Sequence, residues 1–509
     1  MSRLLICAAL VTLSLAAASA DEPQKRQSAE TPAPSGVLSL LPPDSVTEHT
    51  TDLGDEKRAY TATAGTFPLY DQNGERSAAV FYTAYVARDA RGPRPLTFVF
   101  NGGPGASSAY LHLGLAGPRV VDFGKHAGGP PQLVDNPDTW LRFTDLVFVD
   151  PVGTGWSRAA KPDGAKAFWS VQADAQVLAK VIALYVAKNA RQASPLYLLG
   201  ESYGGYRAVK IARAVQREQG LLVRGIVMVS PFLDGAMQAG ARQNALTAAL
   251  HLPSLAAAAL DRKGAFTPEA LAAAEKFAMT DYLVTLAGPP PEGAAARAFY
   301  ARVAELTGLP EDVVARRRGF VGESYVKHAA GNDEIVSHYD ATFSAADPYP
   351  ESSVAEGGDP ILDGFTQALG GAFVAYARET LGYRTEMTFH LLNREVSGKW
   401  DWDGGRARAS AARDIRELLA LDESLRILIA HGRSDLVTPY GVSRYVLDHL
   451  PPMGKSPRTA LKVYKGGHMF YFDAAARRAF TADAAAFYMG RDAAATDTGR
   501  SAGAGKPSP

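Results

Sequence analysis

Short apolar segments that alternate with stretches of helical spacing constrain the fold of this chain more than any other feature. Four of them are followed closely by glycine, aspartate or serine, at 96–100, 146–149, 196–199 and 225–229. Such runs are typical of strands buried on both faces of a sheet. Two more occur late, at 426–430 and 461–464. Strands that alternate with helices predict an α/β fold with a mostly parallel central sheet covered by helices on both faces.

Two further patterns frame this sheet. Residues 60–69 and 78–86 have strand character with Asn73-Gly74 between them, which predicts a hairpin because Asn-Gly adopts the backbone angles of a tight turn. From about 235 to 382, between the sixth and seventh predicted strands, the sequence changes to Ala-rich helical stretches. We interpret this region as a helical cap inserted over the carboxyl edge of the sheet.

The two ends of the chain have different patterns from the middle. Arg3 precedes an apolar run from 4 to 17 that ends in Ala18-Ser19-Ala20, so residues 1–20 are predicted to be a cleaved secretory signal. The run is shorter than the roughly 20 residues that a membrane-spanning helix needs. We therefore expect an exported protein, periplasmic or secreted, without a stable membrane anchor. Residues 21–50 are predicted to be a flexible linker, 51–490 one large domain, and 491–509 a disordered tail.

The composition excludes several classes of function. Lys plus Arg equals Asp plus Glu at 53 each, so no global field attracts nucleic acid or an anionic membrane. The single cysteine, Cys7, lies inside the predicted signal. The mature chain is then without disulfides, cysteine nucleophiles or zinc-thiolate sites, and we expect it to work without a cofactor or metal.

One serine stands in a motif for nucleophilic catalysis. Gly200-Glu201-Ser202-Tyr203-Gly204 fits G-x-S-x-G, between a predicted strand and residues 208–215 with helical spacing. This strand–turn–helix context is that of the nucleophile elbow of the α/β-hydrolase fold. Ser324 has a similar setting, Gly-Glu-Ser-Tyr, but Val326 replaces the second glycine and no apolar strand precedes it. We therefore expect Ser202 to be the nucleophile and Ser324 an ordinary serine of the cap.

A serine nucleophile needs a histidine base that is held by a carboxylate, in the chain order serine, acid, histidine. His468 is the best candidate for the base, because it follows the last predicted strand through Gly466-Gly467. Asp435, in the turn after the seventh strand, is the best candidate for the acid. The weaker candidates are His431, His449, Asp234, Asp422 and Asp473.

The oxyanion of the intermediate needs two amide donors. The amide after the nucleophile, that of Tyr203, is one, and the glycine-rich loop from Asn101 to Gly105 can supply the other from Gly103. A phosphate-binding loop is the competing interpretation of these glycines. It is disfavoured, because the spacing and the lysine of that motif are missing.

Four separated blocks together resemble the serine carboxypeptidases, in the form of a bacterial-type member without disulfides. The blocks are the loop that begins at Asn101, residues 148–157, residues 200–206 around Ser202, and residues 466–469 around His468. The resemblance implies that Ser202, Asp435 and His468 form a catalytic triad, with Gly103 and Tyr203 as oxyanion donors. It also implies that Asn101, Gly102 and Glu201 hold the free carboxylate of a peptide C-terminus.

The chain departs from the family pattern at two positions. Leu115 stands where the family usually has a second glutamate, and Ala106 where it has a cysteine. His112 or Arg119 could compensate for the missing acid, although both are expected to be surface residues.

The leading hypothesis is a serine-type carboxypeptidase that acts on peptides through an acyl-enzyme. The alternatives are an esterase or acyltransferase with the same triad, and a binding protein on a catalytically silent fold.

Overall fold

A computed structural model describes residues 36–88, 92–123, 131–331, 333–453 and 457–490. The predicted signal at 1–20, the first part of the predicted linker and the predicted tail at 491–509 lie outside the described residues. Among the described residues, no helix combines the length and the apolar character needed to cross a bilayer.

Within the described ranges, the strands form one large sheet and two small hairpins. In chain order they are β1 Ser45–Asp52, β2 Lys57–Tyr70, β3 Arg76–Ala87, β4 Leu96–Phe100, β5 Arg119–Asp122, β6 Gln132–Asp135, β7 Asp145–Val149, β8 Arg158–Ala159, β9 Leu196–Glu201, β10 Val223–Val229, β11 Glu334–Val336, β12 Ser344–Ala346, β13 Arg426–Gly432 and β14 Thr459–Tyr464. The large sheet has the order β1-β2-β3-β7-β4-β9-β10-β13-β14, and β8 pairs with β3. The pairs β5-β6 and β11-β12 stand apart.

The mostly parallel sheet predicted from the sequence is confirmed. The six strands from β7 to β14 in the sheet order pair in parallel, and every residue of β4, β7 and β9 is buried. The hairpin β2-β3 is antiparallel and includes the pair Leu69↔Ala78. Because parallel strands end at the same edge, the loops after β4, β9, β10, β13 and β14 all meet there.

Helices cover both faces of the sheet. The α-helices are α1 Ala109–Leu111, α2 Val171–Lys188, α3 Tyr203–Glu218, α4 Gly235–Gln238, α5 Ala245–Arg262, α6 Pro268–Phe277, α7 Leu283–Ala287, α8 Gly293–Thr307, α9 Glu311–Arg316, α10 Gly322–His328, α11 Pro360–Glu379, α12 Arg394–Gly398, α13 Ala412–Leu421, α14 Tyr440–Asp448 and α15 Ala474–Tyr488. One core cluster joins α2, α3 and α13 to the sheet, and a second joins α11 and α15 to it. Two π-helical turns, His112–Ala116 and Ala278–Tyr282, extend α1 and join α6 to α7. Short 3-10 turns occur at Gly36–Leu40, Trp140–Arg142, Asp163–Phe168, Arg406–Arg408 and Phe470–Phe472.

The predicted linker ends earlier than the sequence indicated. Residues 45–50 belong to β1, which pairs along its whole length with β2, from Ser45↔Ala64 to Asp52↔Lys57. Exposed and partly buried residues alternate along β1, as in an antiparallel strand with one face in solvent, so its side chains are mostly polar, and polar composition alone resembles a linker. The prediction of a linker up to residue 50 is therefore wrong for the part that the structure describes as strand.

The predicted cap also has a different boundary. Helices α5 to α10 share a hydrophobic cluster of their own, centred on residues such as Leu252, Tyr282 and Val303. Helix α11 instead buries Leu369 and Phe373 in the cluster of the sheet. It belongs to the layer that covers the sheet, so the helical cap does not extend to residue 382 as predicted.

Candidate active site

Ser202 lies in a strained turn between β9 and α3. Its backbone angles are φ 59° and ψ −126°, a conformation that L residues rarely adopt. A Cβ atom on Gly200 would overlap the carbonyl oxygen of Gly204, and one on Gly204 would overlap that of Phe100. The turn is anchored by a hydrogen bond of 2.9 Å from the Ser202 amide to the carbonyl of Val229. This is the geometry of a nucleophile elbow, and it explains why glycines flank the serine.

Ser324 has a different setting. It lies within α10, is buried, and does not line the pocket that contains Ser202. The near copy of the motif therefore forms a helix, not a strand–turn–helix elbow.

His468 and Asp435 form a buried pair at the same edge of the sheet. His468 Nδ1 lies 2.9 Å from Asp435 Oδ2, and Thr438 Oγ1 donates to the same carboxylate oxygen at 2.8 Å. The other oxygen, Oδ1, accepts from the amides of Val437 at 2.8 Å and Thr438 at 3.0 Å. These bonds hold the carboxylate in one orientation toward the imidazole.

The surroundings of His468 and Asp435 shift the pKa values of both groups. Burial lowers the pKa of His468, but the Asp435 carboxylate outweighs it and the pKa ends above its usual value. Burial would raise the pKa of Asp435, yet His468 brings it below the usual value. An ionised Asp435 can therefore stabilise an imidazolium when His468 accepts a proton.

The weaker candidates for base and acid have other partners. His431 Nε2 pairs with Ser443 Oγ at 2.8 Å, and burial lowers its pKa to about 4. His449 Nδ1 lies 2.7 Å from the carbonyl of Tyr445 on an exposed surface. Asp234 and Asp473 cap the N-termini of α4 and α15, and Asp422 accepts hydrogen bonds from Ser424.

One pocket brings most of the predicted site residues together. Its lining includes Asn101, Gly102, Gly103, Glu201, Ser202, Tyr203 and His468. Asp435 lies behind His468, as an acid that orients the base should. These seven residues lie at or just after the carboxyl ends of β4, β9 and β14, which the parallel sheet brings to one edge.

The glycine-rich loop lies directly against the elbow. A Cβ atom on Gly102 would lie 2.6 Å from the amide nitrogen of Tyr203 and 2.8 Å from that of Gly204. Gly103 has φ +96°, which favours glycine. In the ranges that the structure describes, the amides of Gly103 and Tyr203 have no hydrogen-bond acceptor. Both are therefore available to a ligand in the pocket.

Glu201 is buried next to the nucleophile, with a 3% exposed surface. Its carboxyl group accepts a hydrogen bond from Asn101 Nδ2, and Tyr471 Oη lies 2.9 Å from each of its oxygens. Burial raises the pKa of Glu201 to about 7, against the opposing effects of His468, Tyr471 and Asn101. Glu201 is thus a neutral acid at mildly acidic pH.

The loop that carries Asn101 is tied to the elbow helix. Arg207, on α3, donates to the carbonyl oxygen of Asn101 and pairs with Asp174 at 2.6 Å. Both charges are buried, so removing either partner would leave the other uncompensated. Asn101 Oδ1 accepts from the amide of Leu111 at 3.0 Å, which orients its NH2 group toward Glu201.

The position of the missing family glutamate lies outside the pocket. Leu115 is buried in the core, and neither His112 nor Arg119 lines the pocket. His112 is not the surface residue we expected, because it stacks on Phe148 at 4.1 Å and burial lowers its pKa to about 3. Arg119 is partly exposed and pairs with Asp135 at 2.9 Å.

The sequence motifs did not predict the contact between Tyr471 and Glu201. Tyr471 lies in the 3-10 turn Phe470–Phe472, three residues after His468. That proximity is the only sequence signal for it.

Known proteins resemble part of this chain. A family model described as serine carboxypeptidase matches residues 63–252. The chain is thus similar to the serine carboxypeptidases over this part of its length. Serine carboxypeptidase S10 family member 1 of Dictyostelium discoideum is 25% identical over 178 residues, 34% of this chain and 41% of that protein. The retinoid-inducible serine carboxypeptidase of Mus musculus is 36% identical over 130 residues, 24% of this chain and 26% of that protein.

A solved structure has a similar fold over most of this chain. The prohormone-processing carboxypeptidase Kex1(delta)p from Saccharomyces cerevisiae has a TM-score of 0.55 and 16% identity, covering 85% of this chain and 91% of that one. The chain has the α/β-hydrolase fold. The matches to the two curated relatives span less than half of each relative's length. Asp435 and His468 lie beyond the residues that the family model matches, so their assignment depends on the geometry of the site.

Proposed function

We propose that this protein is a serine-type carboxypeptidase that releases C-terminal residues from peptides. The observation that carries the proposal is the buried Glu201, whose pKa is raised to about 7, beside Ser202 in the same pocket. An acid that stays neutral can donate a hydrogen bond to the carboxylate of a peptide terminus, whereas an ionised acid would repel it. A hydrolase for uncharged esters has no need of such a group.

Ser202, His468 and Asp435 carry out the first chemical step. Ser202 Oγ attacks the carbonyl carbon of the last peptide bond while His468 Nε2 takes its proton. The carbonyl electron pair moves to oxygen, which accepts hydrogen bonds from the amides of Gly103 and Tyr203. When the intermediate collapses, the C–N bond breaks and His468 returns the proton to the departing amino group. The C-terminal residue leaves, and the remaining peptide stays on Ser202 as an ester.

A water molecule completes the cycle by the same route. His468 takes one proton from the water as its oxygen attacks the ester carbonyl, and the Gly103 and Tyr203 amides again stabilise the negative oxygen. Collapse of this intermediate breaks the bond to Ser202 Oγ, which receives the proton from His468. The shortened peptide departs with a new free carboxylate, and the enzyme is restored.

The substrate carboxylate is held by Asn101, Gly102 and Glu201 in this proposal. Tyr471 supports the group from behind, because its hydroxyl contacts both oxygens of Glu201 at 2.9 Å. A second glutamate is not needed to satisfy Glu201, since the NH2 group of Asn101 and the hydroxyl of Tyr471 already pair with it.

Peptides that differ only at the C-terminus test this proposal. We expect a peptide with a free carboxylate to be cleaved at its last bond about tenfold or more faster than its C-terminal amide at about pH 5, because charge-assisted hydrogen bonds are lost with the amide. Since Glu201 ionises as the pH rises through about 7, the preference should decline above that pH. Mass spectrometry of both peptides gives kcat/KM at each pH, and their ratio cancels the titration of His468, which both reactions share.

Two variants assign the pH dependence to Glu201. Glu201→Gln cannot ionise but retains a donor, so the decline of the acid-to-amide ratio should disappear. Tyr471→Phe removes a hydrogen bond that lowers the pKa of Glu201, so the decline should move to higher pH. Equal cleavage of acid and amide at every pH would contradict the exopeptidase assignment.

A second candidate function is favoured by Leu115. Leu115 is a core residue where the family has a second glutamate, and Glu201 is the one carboxylic acid among the described residues that line the pocket, so the triad could serve an esterase or acyltransferase. Turnover of blocked amino-acid esters without turnover of any peptide would support this candidate over the first.

We also propose that the protein acts outside the cytoplasm, in the periplasm or secreted. The support is the signal pattern at residues 1–20 in the sequence. The protein recovered from the periplasm or medium is expected to begin at Asp21. Edman sequencing that finds Met1 on the exported protein would contradict cleavage.

A further inference from the structure

Arg406 presents a cation at the pocket that contains Ser202. Its guanidinium lies 5.6 Å from the ring centre of Phe232 and 5.6 Å from that of Trp402, and all three residues line the pocket. Nowhere in the described ranges does Arg406 form an ion pair with a carboxylate. Its charge is therefore positioned by two aromatic rings, and its five donors remain open to a ligand.

Gln238 adds an amide to the same wall of the pocket. Both polar atoms of its side chain, Oε1 and Nε2, are buried and have no hydrogen-bond partner among the residues that the structure describes. A buried polar group without a partner destabilises the folded state, and such groups in native proteins call for an explanation. Because Gln238 lines the pocket, a ligand that brings its own polar atoms would satisfy it.

The backbone places the two segments that carry Arg406 and Gln238 next to each other. The amide of Gly235 donates to the carbonyl of Ala409 at 2.8 Å, and the amide of Ala411 donates to that of Leu233 at 2.8 Å. A Cβ atom on Gly235 would overlap the carbonyl oxygen of Arg406, so α4 lies directly against the turn Arg406–Arg408. The cation and the amide are thus fixed on neighbouring segments.

This wall lies on the side of Ser202 away from the Asn101 loop. Strand β9, which ends before Ser202, has β4 on one side and β10 on the other. Asn101 follows β4, whereas Phe232 follows β10 and donates its amide to the carbonyl of Ser202 at 3.0 Å. Trp402 meets the ring of Tyr203 edge-on at 5.3 Å. A peptide held at its terminus by Asn101 and Glu201 would extend its preceding residue toward this wall.

We propose that Arg406 and Gln238 form a subsite for an acidic side chain on the penultimate residue of the substrate, the residue whose carbonyl Ser202 attacks. The inference rests on the proposed carboxypeptidase function. The guanidinium and Gln238 Nε2 donate to the two oxygens of the carboxylate, and Phe232 and Trp402 contact its CH2 groups. The enzyme therefore prefers aspartate or glutamate at this position to neutral residues of the same shape.

Paired peptides with glutamate or glutamine as the penultimate residue test the subsite. At about pH 6 the glutamate is ionised. We expect kcat/KM at low salt to be about fivefold higher for the glutamate peptide than for the glutamine peptide. The effect is modest because Arg406 is exposed and solvent partly screens its charge. The preference should shrink at about 1 M ionic strength. Arg406→Gln should abolish it, and Arg406→Glu should shift the preference to a penultimate lysine.

A neighbouring arginine supplies the matched control. Arg408 lies on the same 3-10 turn, is exposed and does not line the pocket, so Arg408→Gln should leave the glutamate preference unchanged. Gln238→Leu should lower the rate for glutamate and glutamine peptides more than for an alanine peptide. If Arg406→Gln lowers the rate for all three peptides equally, Arg406 binds the terminal carboxylate or supports the fold, and the subsite proposal is wrong.

Blocked amino-acid esters separate this inference from the proposed function. The acyl side chain of an N-benzoyl glutamate or glutamine ester occupies the same subsite, whether or not the enzyme cleaves peptides. A glutamate preference on esters that Arg406→Gln abolishes supports the subsite, even where peptides are not trimmed and the carboxypeptidase proposal fails. If the enzyme trims peptides but shows no preference for glutamate, the carboxypeptidase proposal stands and the subsite proposal is wrong.

Discussion

Replacing Ser202 with alanine is expected to lower kcat on a C-terminally free peptide by about a millionfold. The alanine removes the oxygen that forms the acyl-enzyme, and the remaining rate is that of water attack assisted by the Gly103 and Tyr203 amides. Binding should change much less, because the residues proposed to hold the substrate are untouched. Single-turnover kinetics with the purified variant, together with circular dichroism to verify folding, measure both effects.

Ser324→Ala is the matched control for this result. It removes a serine from the same four-residue pattern, but within α10 of the cap. Its activity should equal that of the wild type, and a serine-directed phosphonate should label the wild type and Ser324→Ala but not Ser202→Ala. A folded wild-type protein that is neither labelled nor active would instead be a binding protein with a silent site.

Replacing Asp435 with asparagine is expected to lower kcat by about ten-thousandfold. The asparagine would present its NH2 group or its carbonyl to His468 Nδ1, and the charge that stabilises an imidazolium would be lost. The tautomer with a proton on Nε2 then competes, and it cannot accept the proton of Ser202. The pH profile should also shift, because the Asp435 carboxylate is what raises the pKa of His468 above its usual value. Without it, the acidic limb of kcat/KM should move to lower pH.

Asp234→Asn tests whether the loss is specific to the triad acid. Asp234 was a weaker candidate for the triad acid in the sequence. In the structure it caps α4 by accepting hydrogen bonds from the amides of Ala236 and Met237 at 3.1 and 3.3 Å. Asparagine caps helices about as well as aspartate, so this variant should be as stable and active as the wild type. A comparable loss of activity in both variants would contradict the assignment of Asp435.

The parallel part of the central sheet was predictable because most of its strands are short, apolar and buried, and helical segments separate them. β4 and β9 were located from apolar runs alone, and the structure places them next to each other as parallel strands. β1 was not predictable, since an exposed edge strand carries no apolar run. The boundary of the cap was not predictable either, because α11 and the cap helices have similar amphipathic patterns and differ only in the surface against which they pack.

The sequence by itself determined the elbow at Ser202, because only glycine fits at Gly200 and Gly204 around a serine with positive φ. It also limited the acid and base to a few residues after the late strands. Only the tertiary structure decided which of them pair, because His468 and Asp435 are 33 residues apart in the sequence. His431 instead forms a hydrogen bond with Ser443. The tertiary structure also decided the environment of Glu201, whose raised pKa results from burial among groups from three separate loops. A pKa depends on what surrounds a group in space, and that information is absent from a local motif.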